Sequence, residues 1–447
     1  MTRTTQVIRA SLAMLASAAL FAVAVIAVLV GVALFALRAG PGDWAQRLSL
    51  GPLGMAFSVP ALARVATHPL GMHFLAGRSV ATRFGRVRID AGADAGTLVV
   101  RCAPCRALNP SLAARPIEIA SIEFTIAKGE PNQLLGDLRI GTVAGRWRAR
   151  LGARDATVEV DVADAALADL VAVFAAAVPE AKQARIEGRG GLAVRVALPS
   201  GRYTVRPRLE GLVVSGLGTE ALAAATPAPA CGRAPRAQRS AAPYGTWLPN
   251  AVIAAEDQRF FEHPGYDVAE MAAAWSTEAP HDDHRRGAST ISQQLAKLLY
   301  TGDERSLARK VRELLYAVEL DRTLGKARVL QLYLAVAPWG DGQCGGEAAA
   351  LHYFGKHAAA LEPAEAVWLA GLLRNPELGL ARGARGDTAD NARLALIAES
   401  LRPLSRRGRA ELRDELEVFV PPLPVLARAS AASVPTAESA IAAAAAR

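Results

Sequence analysis

Three kinds of hydrophobic pattern follow one another along this chain. From Ala10 to Leu37 the run ASLAMLASAALFAVAVIAVLVGVALFAL carries no charge. A helix crosses a bilayer core with roughly 20 apolar residues, so the run predicts a transmembrane anchor at 10–37. A cleavable signal has a shorter apolar core, about 7–15 residues. Arg3 and Arg9 precede the run, which predicts a cytoplasmic 1–9 and an exported remainder. From about 69 to 215 the period becomes two: TLVVRC, IEIASIEFTIA, GRWRARLGA, ATVEVDVA, GGLAVRVALP and YTVRPRLEGLVV alternate apolar and polar residues between Gly and Pro. These predict a β-rich domain, interrupted by one amphipathic helix, DAALADLVAVFAAAVPEA. Residues 216–243, with their Pro, Ala, Gly and Arg, read as a linker. Helical spacing then takes over from 244 to 401, and 402–447 reads as a C-terminal extension with a low-complexity tail. The fold class expected is α+β.

Within the helical part, AVIAAEDQRFFEHPGYD (251–267) sets acids at the end of an apolar run. Asn250 can cap a helix that begins after Pro249, with Ile253, Glu256, Phe260 and His263 on one face. A carboxyl group among Val252, Ile253 and Phe260 is poorly solvated, which raises its pKa and suits it to proton transfer. In RRGASTISQQLAKLLY (285–300), Ile291, Leu295, Leu298 and Leu299 form a core stripe. Thr290, Gln293, Gln294 and Lys297 form a polar face able to hold sugars and phosphate. The turn from Gly287 through Ser289 would open that helix as an anion site. In DERSLARKVRELLYAVELDR (303–322), Leu307, Val311, Leu314, Leu315 and Val318 point inward, and Arg305, Arg309 and Arg312 lie at i, i+4 and i+7. Glu313 follows Arg309 by one turn and stays ionised among these cations, so Glu256 and Glu313 have opposed surroundings. A solvated salt-bridge face gives the same spacing.

The net charge is +9, but an exported chain with 5% aromatic residues and no basic block of five does not read as a nucleic-acid binder. An anionic membrane surface suits the charge better. Lys occurs only at 128, 182, 297, 310, 326 and 356, four of them within 60 residues. Cys102 and Cys105 predict a local disulfide, and Cys231 with Cys344 a second.

EDQRFFEHPG, GASTISQQLAK, RKVRE and GKARVLQLYL, with GGEAAALHYFGK and AEAVWLAGLLRNPE after them, resemble the successive motifs of glycosyltransferase family 51. These are the monofunctional biosynthetic peptidoglycan transglycosylases and the glycosyltransferase domains of class A penicillin-binding proteins. The resemblance spans about 244–376 and implies a mostly α-helical, lysozyme-like domain that polymerises lipid II. It implies Glu256 as the base that deprotonates the acceptor hydroxyl and Glu313 as the second essential carboxylate. Lys297, Arg305, Arg309 and Lys310 would meet the diphosphate, and Ser289, Thr290, Gln293 and Gln294 would line the donor site. Asp257, Phe260, His263, Gly287, Arg312 and Tyr333 complete the expected substrate-binding set. No cofactor is obligatory, though a divalent cation, Mg or Mn, can take part.

The implied partners are lipid II, undecaprenyl-diphosphate-linked glycan, the bacterial inner membrane, and a separate transpeptidase or other cell-wall assembly proteins, since no S-x-x-K, S-x-N or K-T-G set occurs. The implied location is a single pass through the inner membrane with the catalytic and β-rich domains in the periplasm. The chain departs from the family pattern at Leu298, Gln331 and Ala335. The rival readings are a lysozyme-like lytic transglycosylase or hydrolase, and a non-catalytic lipid II-binding scaffold.

Overall fold

A computed structural model describes residues 38–39, 44–50, 53–107, 112–152, 154–225, 244–274, 289–384 and 389–420. The expected anchor at 10–37, most of the linker and the low-complexity tail lie outside them. Among the described residues no helix is long and apolar enough to cross a membrane.

The alternating segments form one antiparallel sheet. A hairpin, β1 (Ala45–Leu50) and β2 (Leu53–Ser58), leads into two short helices, α1 (Val59–Ala66) and α2 (Pro69–Leu75). Then come β3 (Arg78–Thr82), β4 (Gly85–Ala91), β5 (Thr97–Cys102), the small pair β6 (Cys105–Ala107) and β7 (Ile117–Ile119), and β8 (Ile122–Lys128). The strands β9 (Gln133–Ile140), β10 (Val143–Leu151) and β11 (Ala156–Ala166) follow, then α3 (Leu167–Ala172), β12 (Arg185–Leu198) and β13 (Arg202–Ser215). Nine strands join in the order β13-β12-β11-β10-β9-β8-β5-β4-β3. Register keeps the two faces chemically distinct, as a period of two requires. Trp147 lies opposite Val160 and Gly136, whereas Arg148 lies opposite Glu159 and Leu135. A groove of about 1190 Å³ runs over the face that carries Arg146, Arg148 and Arg195, and contains none of the expected site residues. The expected long helix at 164–181 is only α3 followed by turns and a 3₁₀ segment, Pro179–Lys182.

The helical part comprises α4 (Trp247–Glu256), α5 (Val268–Ala274), α6 (Ile291–Ala296), α7 (Leu307–Val336), α8 (Gly346–Phe354), α9 (Pro363–Leu372), α10 (Pro376–Ala384), α11 (Ala389–Glu399) and α12 (Arg406–Val418). Leu412 and Leu416 of α12 are buried in the same core as Leu248, Trp339 and Leu369. The helical unit therefore runs to 418, and the boundary expected at 401 falls inside it. α4 starts before Pro249, not after it, because a proline in the first turn gives up no helical hydrogen bond. Asn250 donates to the Thr246 carbonyl at 2.7 Å instead of capping.

The two parts share a core. Leu314, Leu315 and Val318 of α7 cluster with Leu167, Val178, Leu212 and Val214 of the β-rich part. The stripe expected to point inward is thus in a core, one that it shares with the sheet domain. Polar contacts follow the same seam. Arg312 and Glu180 pair at 2.8 Å, and the Glu319 carboxylate accepts the Leu217 and Thr219 backbone N–H groups at 2.9 and 3.4 Å. The Leu222 carbonyl accepts from Arg328 at 3.1 Å, so the first ten residues of the expected linker are docked on α7.

Cys102 and Cys105 form a disulfide. Cys344 is buried and disulfide-bonded, and its expected partner Cys231 lies outside the described residues.

Candidate active site

α4 delivers Glu256 as its last residue, 6% exposed. The helix ends there, so Phe260 and His263 lie in the following turn and not on one helical face with Glu256. The environment also differs from the purely apolar one expected. Arg393 Nη2 of α11 donates to Glu256 Oε1 at 2.8 Å, and Gln294 Nε2 donates to Oε2 at 2.8 Å. A buried carboxylate needs such partners, because desolvation without them costs several kcal/mol, on the order of 3–5 when one partner of a buried pair is removed. Tyr333 fixes the amide in turn by donating to Gln294 Oε1 at 2.7 Å. Burial, followed by the nearby Glu256, pushes the Tyr333 hydroxyl well above its usual range, so it remains a donor.

Glu313, 1% exposed, sits on α7 between two cations. Arg309 forms an ion pair with Oε1, and Lys310 Nζ lies 2.7 Å from Oε2. Lys310 also donates to Ser289 Oγ at 2.7 Å. Burial, then Arg309 and Lys297, pushes the Lys310 ammonium down to about 8. Burial also lowers Arg309. Gln294 donates weakly to the Ser289 carbonyl at 3.4 Å. A continuous polar path therefore joins the two carboxylates: Glu256, Gln294, Ser289, Lys310, Glu313.

The remaining predicted residues divide by exposure. Ser289, Gln294, Lys297 and Lys310 are half-buried and Arg305 is exposed, so these can meet a ligand, whereas the Arg309 side chain is only 10% exposed and turned toward Glu313. Lys297 opens a π-helical turn, Lys297–Thr301, and pairs with Asp303 at 2.7 Å. The others are inside. Thr290 and Gln293 form a capping box at the start of α6, and Thr290 also donates to the Gly265 carbonyl at 2.7 Å. Gly265 has φ +88°, and a Cβ there would lie 2.5 Å from the Ala317 carbonyl, so the His-Pro-Gly turn needs glycine. Asp257 accepts from Ile291 N at 3.0 Å and from His263 Nε2 at 2.9 Å. Phe260 is fully buried with Lys326 Nζ 4.5 Å above its ring. Arg312 is committed to Glu180. These side chains hold α4, α6 and α7 together beneath the polar path. Gly287 lies outside the described residues.

Arg393 was not foreseen. Its signal in the sequence is an arginine inside the apolar run ARLALIA, 137 residues from Glu256. Leu298 packs against the helical core, Ala335 does so too, and Gln331 accepts from Arg328 at 2.7 Å. The three departures therefore leave the path between the carboxylates untouched.

Known proteins point the same way. Residues 233–399 match the family described as Transglycosylase. The biosynthetic peptidoglycan transglycosylase of Nitrosomonas eutropha is 45% identical over 129 residues, 29% of this chain and 53% of that protein. That of Nitrosomonas europaea is 46% identical over 129 residues, with the same coverage. That of Shigella boydii is 47% identical over 130 residues, 29% of this chain and 54% of the relative. The chain spans about half the length of the curated relatives it matches. Over residues 233–399 it carries a transglycosylase domain, as the motifs running from Glu256 to Leu334 imply.

Proposed function

We propose that the chain is a peptidoglycan glycosyltransferase that extends glycan strands from lipid II. The observation that carries this reading is the polar path from Glu256 to Glu313, with a carboxylate held by Arg393 at one end and a cation cluster at the other. Glu256 takes the proton from the acceptor 4-hydroxyl as that oxygen bonds to the donor's anomeric carbon. The bond from that carbon to the diphosphate oxygen breaks, and its electron pair leaves with the diphosphate. Arg309, Lys310 and Lys297 balance the charge that develops there, which is where fixed charge lowers a barrier most. Arg393 and Gln294 keep the Glu256 carboxylate aimed while it accepts the proton.

The donor chemistry does not build a metal cage from the chain itself. Among the described residues no group of three or more His, Cys, Asp or Glu converges, and both glutamates already face cations. A divalent cation would arrive on the diphosphate, and no step above depends on it. The uncharged run at 10–37 supports a single-pass anchor in the inner membrane, with the rest in the periplasm beside a separate transpeptidase.

Incubation of the full chain with labelled lipid II tests the function. Glycan longer than the substrate is the expected product. Shortening of preformed glycan without polymer would favour a lytic enzyme, and binding without turnover a scaffold.

A further inference from the structure

We propose that the face built by α1, α2 and the β3–β4 hairpin docks on an anionic lipid bilayer. Val65, Leu70, Phe74, Val80 and Phe84 are 52%, 76%, 68%, 51% and 43% exposed. All five fall within twenty residues of sequence, while Pro60 and Met72 of the same two helices are buried. Exposed apolar residues scattered singly need no explanation, but a cluster marks an interaction surface.

Charge identifies the occupant. Between Trp44 and Ile89 the sequence has Arg47, Arg64, Arg78, Arg83, Arg86 and Arg88, two histidines, and no Asp or Glu, although Arg88 pairs with Asp90 at 2.9 Å and is not counted toward the lipid face. Further along the sheet, arginines are matched across strands, as in Arg101 with Glu123 and Arg148 with Glu159. Arg78 and Arg83 instead stand over exposed aromatic rings, Arg78 4.9 Å from Phe74 and Arg83 4.7 Å from Phe84. A ring below and a guanidinium above suit the boundary between acyl chains and phosphates. Arg64 takes no part, because it turns inward to Asn132 at 3.1 Å.

The chain path brings that surface to the bilayer. The uncharged run ends at Leu37, and Arg38 bridges to Phe57 while Ala39 N bonds to the Ala56 carbonyl at 2.9 Å. β2 passes directly into α1 at Val59. The patch is thus tethered a few residues from where an anchor would leave the membrane. The inference uses the apolar run and the patch, and does not depend on the transferase reading.

The test uses the full chain in nanodiscs of phosphatidylcholine, with and without phosphatidylglycerol. A photoreactive benzoylphenylalanine is placed at position 70 or, as a reference, at Tyr203, which is 38% exposed on β13. Position 70 should form lipid adducts on the order of tenfold more often than position 203 when phosphatidylglycerol is present. Arg78→Gln with Arg83→Gln should lower that yield on the order of tenfold, since each basic residue at an anionic surface contributes measurably. Equal lipid yield at 70 and 203 overturns the proposal. So does a yield indifferent to phosphatidylglycerol, or protein–protein adducts in place of lipid adducts at 70.

Discussion

The two carboxylates of the candidate site are held by different parts of the molecule. Glu256 sits against the helical core, with Arg393 and Gln294 both supplied by the transglycosylase domain. Glu313 rides on the first half of α7, whose opposite side packs on Val178, Leu212 and Val214 and is pinned by Arg312 to Glu180. One half of the site is therefore internal to the domain that resembles known proteins. The other half borrows its support from the β-rich part. Gly325, at φ +73°, breaks α7 between these halves, so Tyr333 belongs structurally with Glu256 and not with Glu313. Chemistry and ligand charge compensation should respond separately to perturbation.

The largest effect should come from the base. Glu256→Gln keeps an acceptor for Arg393 but loses the proton-accepting carboxylate, and should slow polymerisation by about 10²–10⁴-fold. Lipid II turnover by the folded variant measures this. Wild-type rate would remove Glu256 from the mechanism. Arg393→Ala comes next, because it strands a buried carboxylate and should cost about 3–5 kcal/mol of stability. Urea denaturation of single and double variants tests that, since Glu256→Gln should rescue part of the loss.

How much of this was readable beforehand follows the distance between partners. The ion pair of Glu313 with Arg309 spans four residues and shows directly in the helical spacing. Strands such as Thr97–Cys102 and Ala156–Ala166 were legible because alternation is local. The sequence T-x-x-Q at Thr290–Gln293 is itself a capping-box signature, yet its motif context directed attention to a ligand. Arg393 and Glu180 were out of reach, because pairings across 137 and 132 residues depend on packing that no periodicity records. β1, β2, α1 and α2 were missed because Gly51, Pro52, Gly54, Pro60, Pro69 and Gly71 cut that stretch into pieces too short to show either period.

Glu180→Gln should separate the two halves most cleanly. It weakens a buried ion pair by about 1–3 kcal/mol and loosens the α7 segment bearing Arg309, Lys310 and Glu313. Affinity for lipid II should fall while the maximal rate stays near that of the unaltered chain. A fall in maximal rate at unchanged affinity would contradict the division.

A pH series sharpens the same point. Lys310, pushed down to about 8 in the folded chain, loses charge as pH rises past that value, so diphosphate affinity should decline between pH 7 and 9. Stability should move the other way. The unfolded chain keeps this proton up to its ordinary value of 10.5, so the folded state gains between pH 8 and 10. Lys310→Arg should flatten both curves. Calorimetric titration with a soluble diphosphate and thermal melts at matched pH read the two signs. The smallest effect belongs to the exposed pair of Lys297 with Asp303, where Asp303→Ala should change stability by only about 0.2–1 kcal/mol.

The order of strands in the sheet carries a consequence for biogenesis. Each strand from β8 to β13 bonds to the one just before or after it in sequence, so pairing needs only short loop closures, except between β11 and β12, which α3 and the 3₁₀ segment separate. Chain emerging N-terminus first can therefore zip the sheet up hairpin by hairpin. By the time Leu307–Val336 emerges, Val178, Leu212, Val214 and Leu217 already form a surface for it to settle on. The β-rich part then acts as a template during maturation, and the helix bearing Glu313 arrives at a seat prepared in advance.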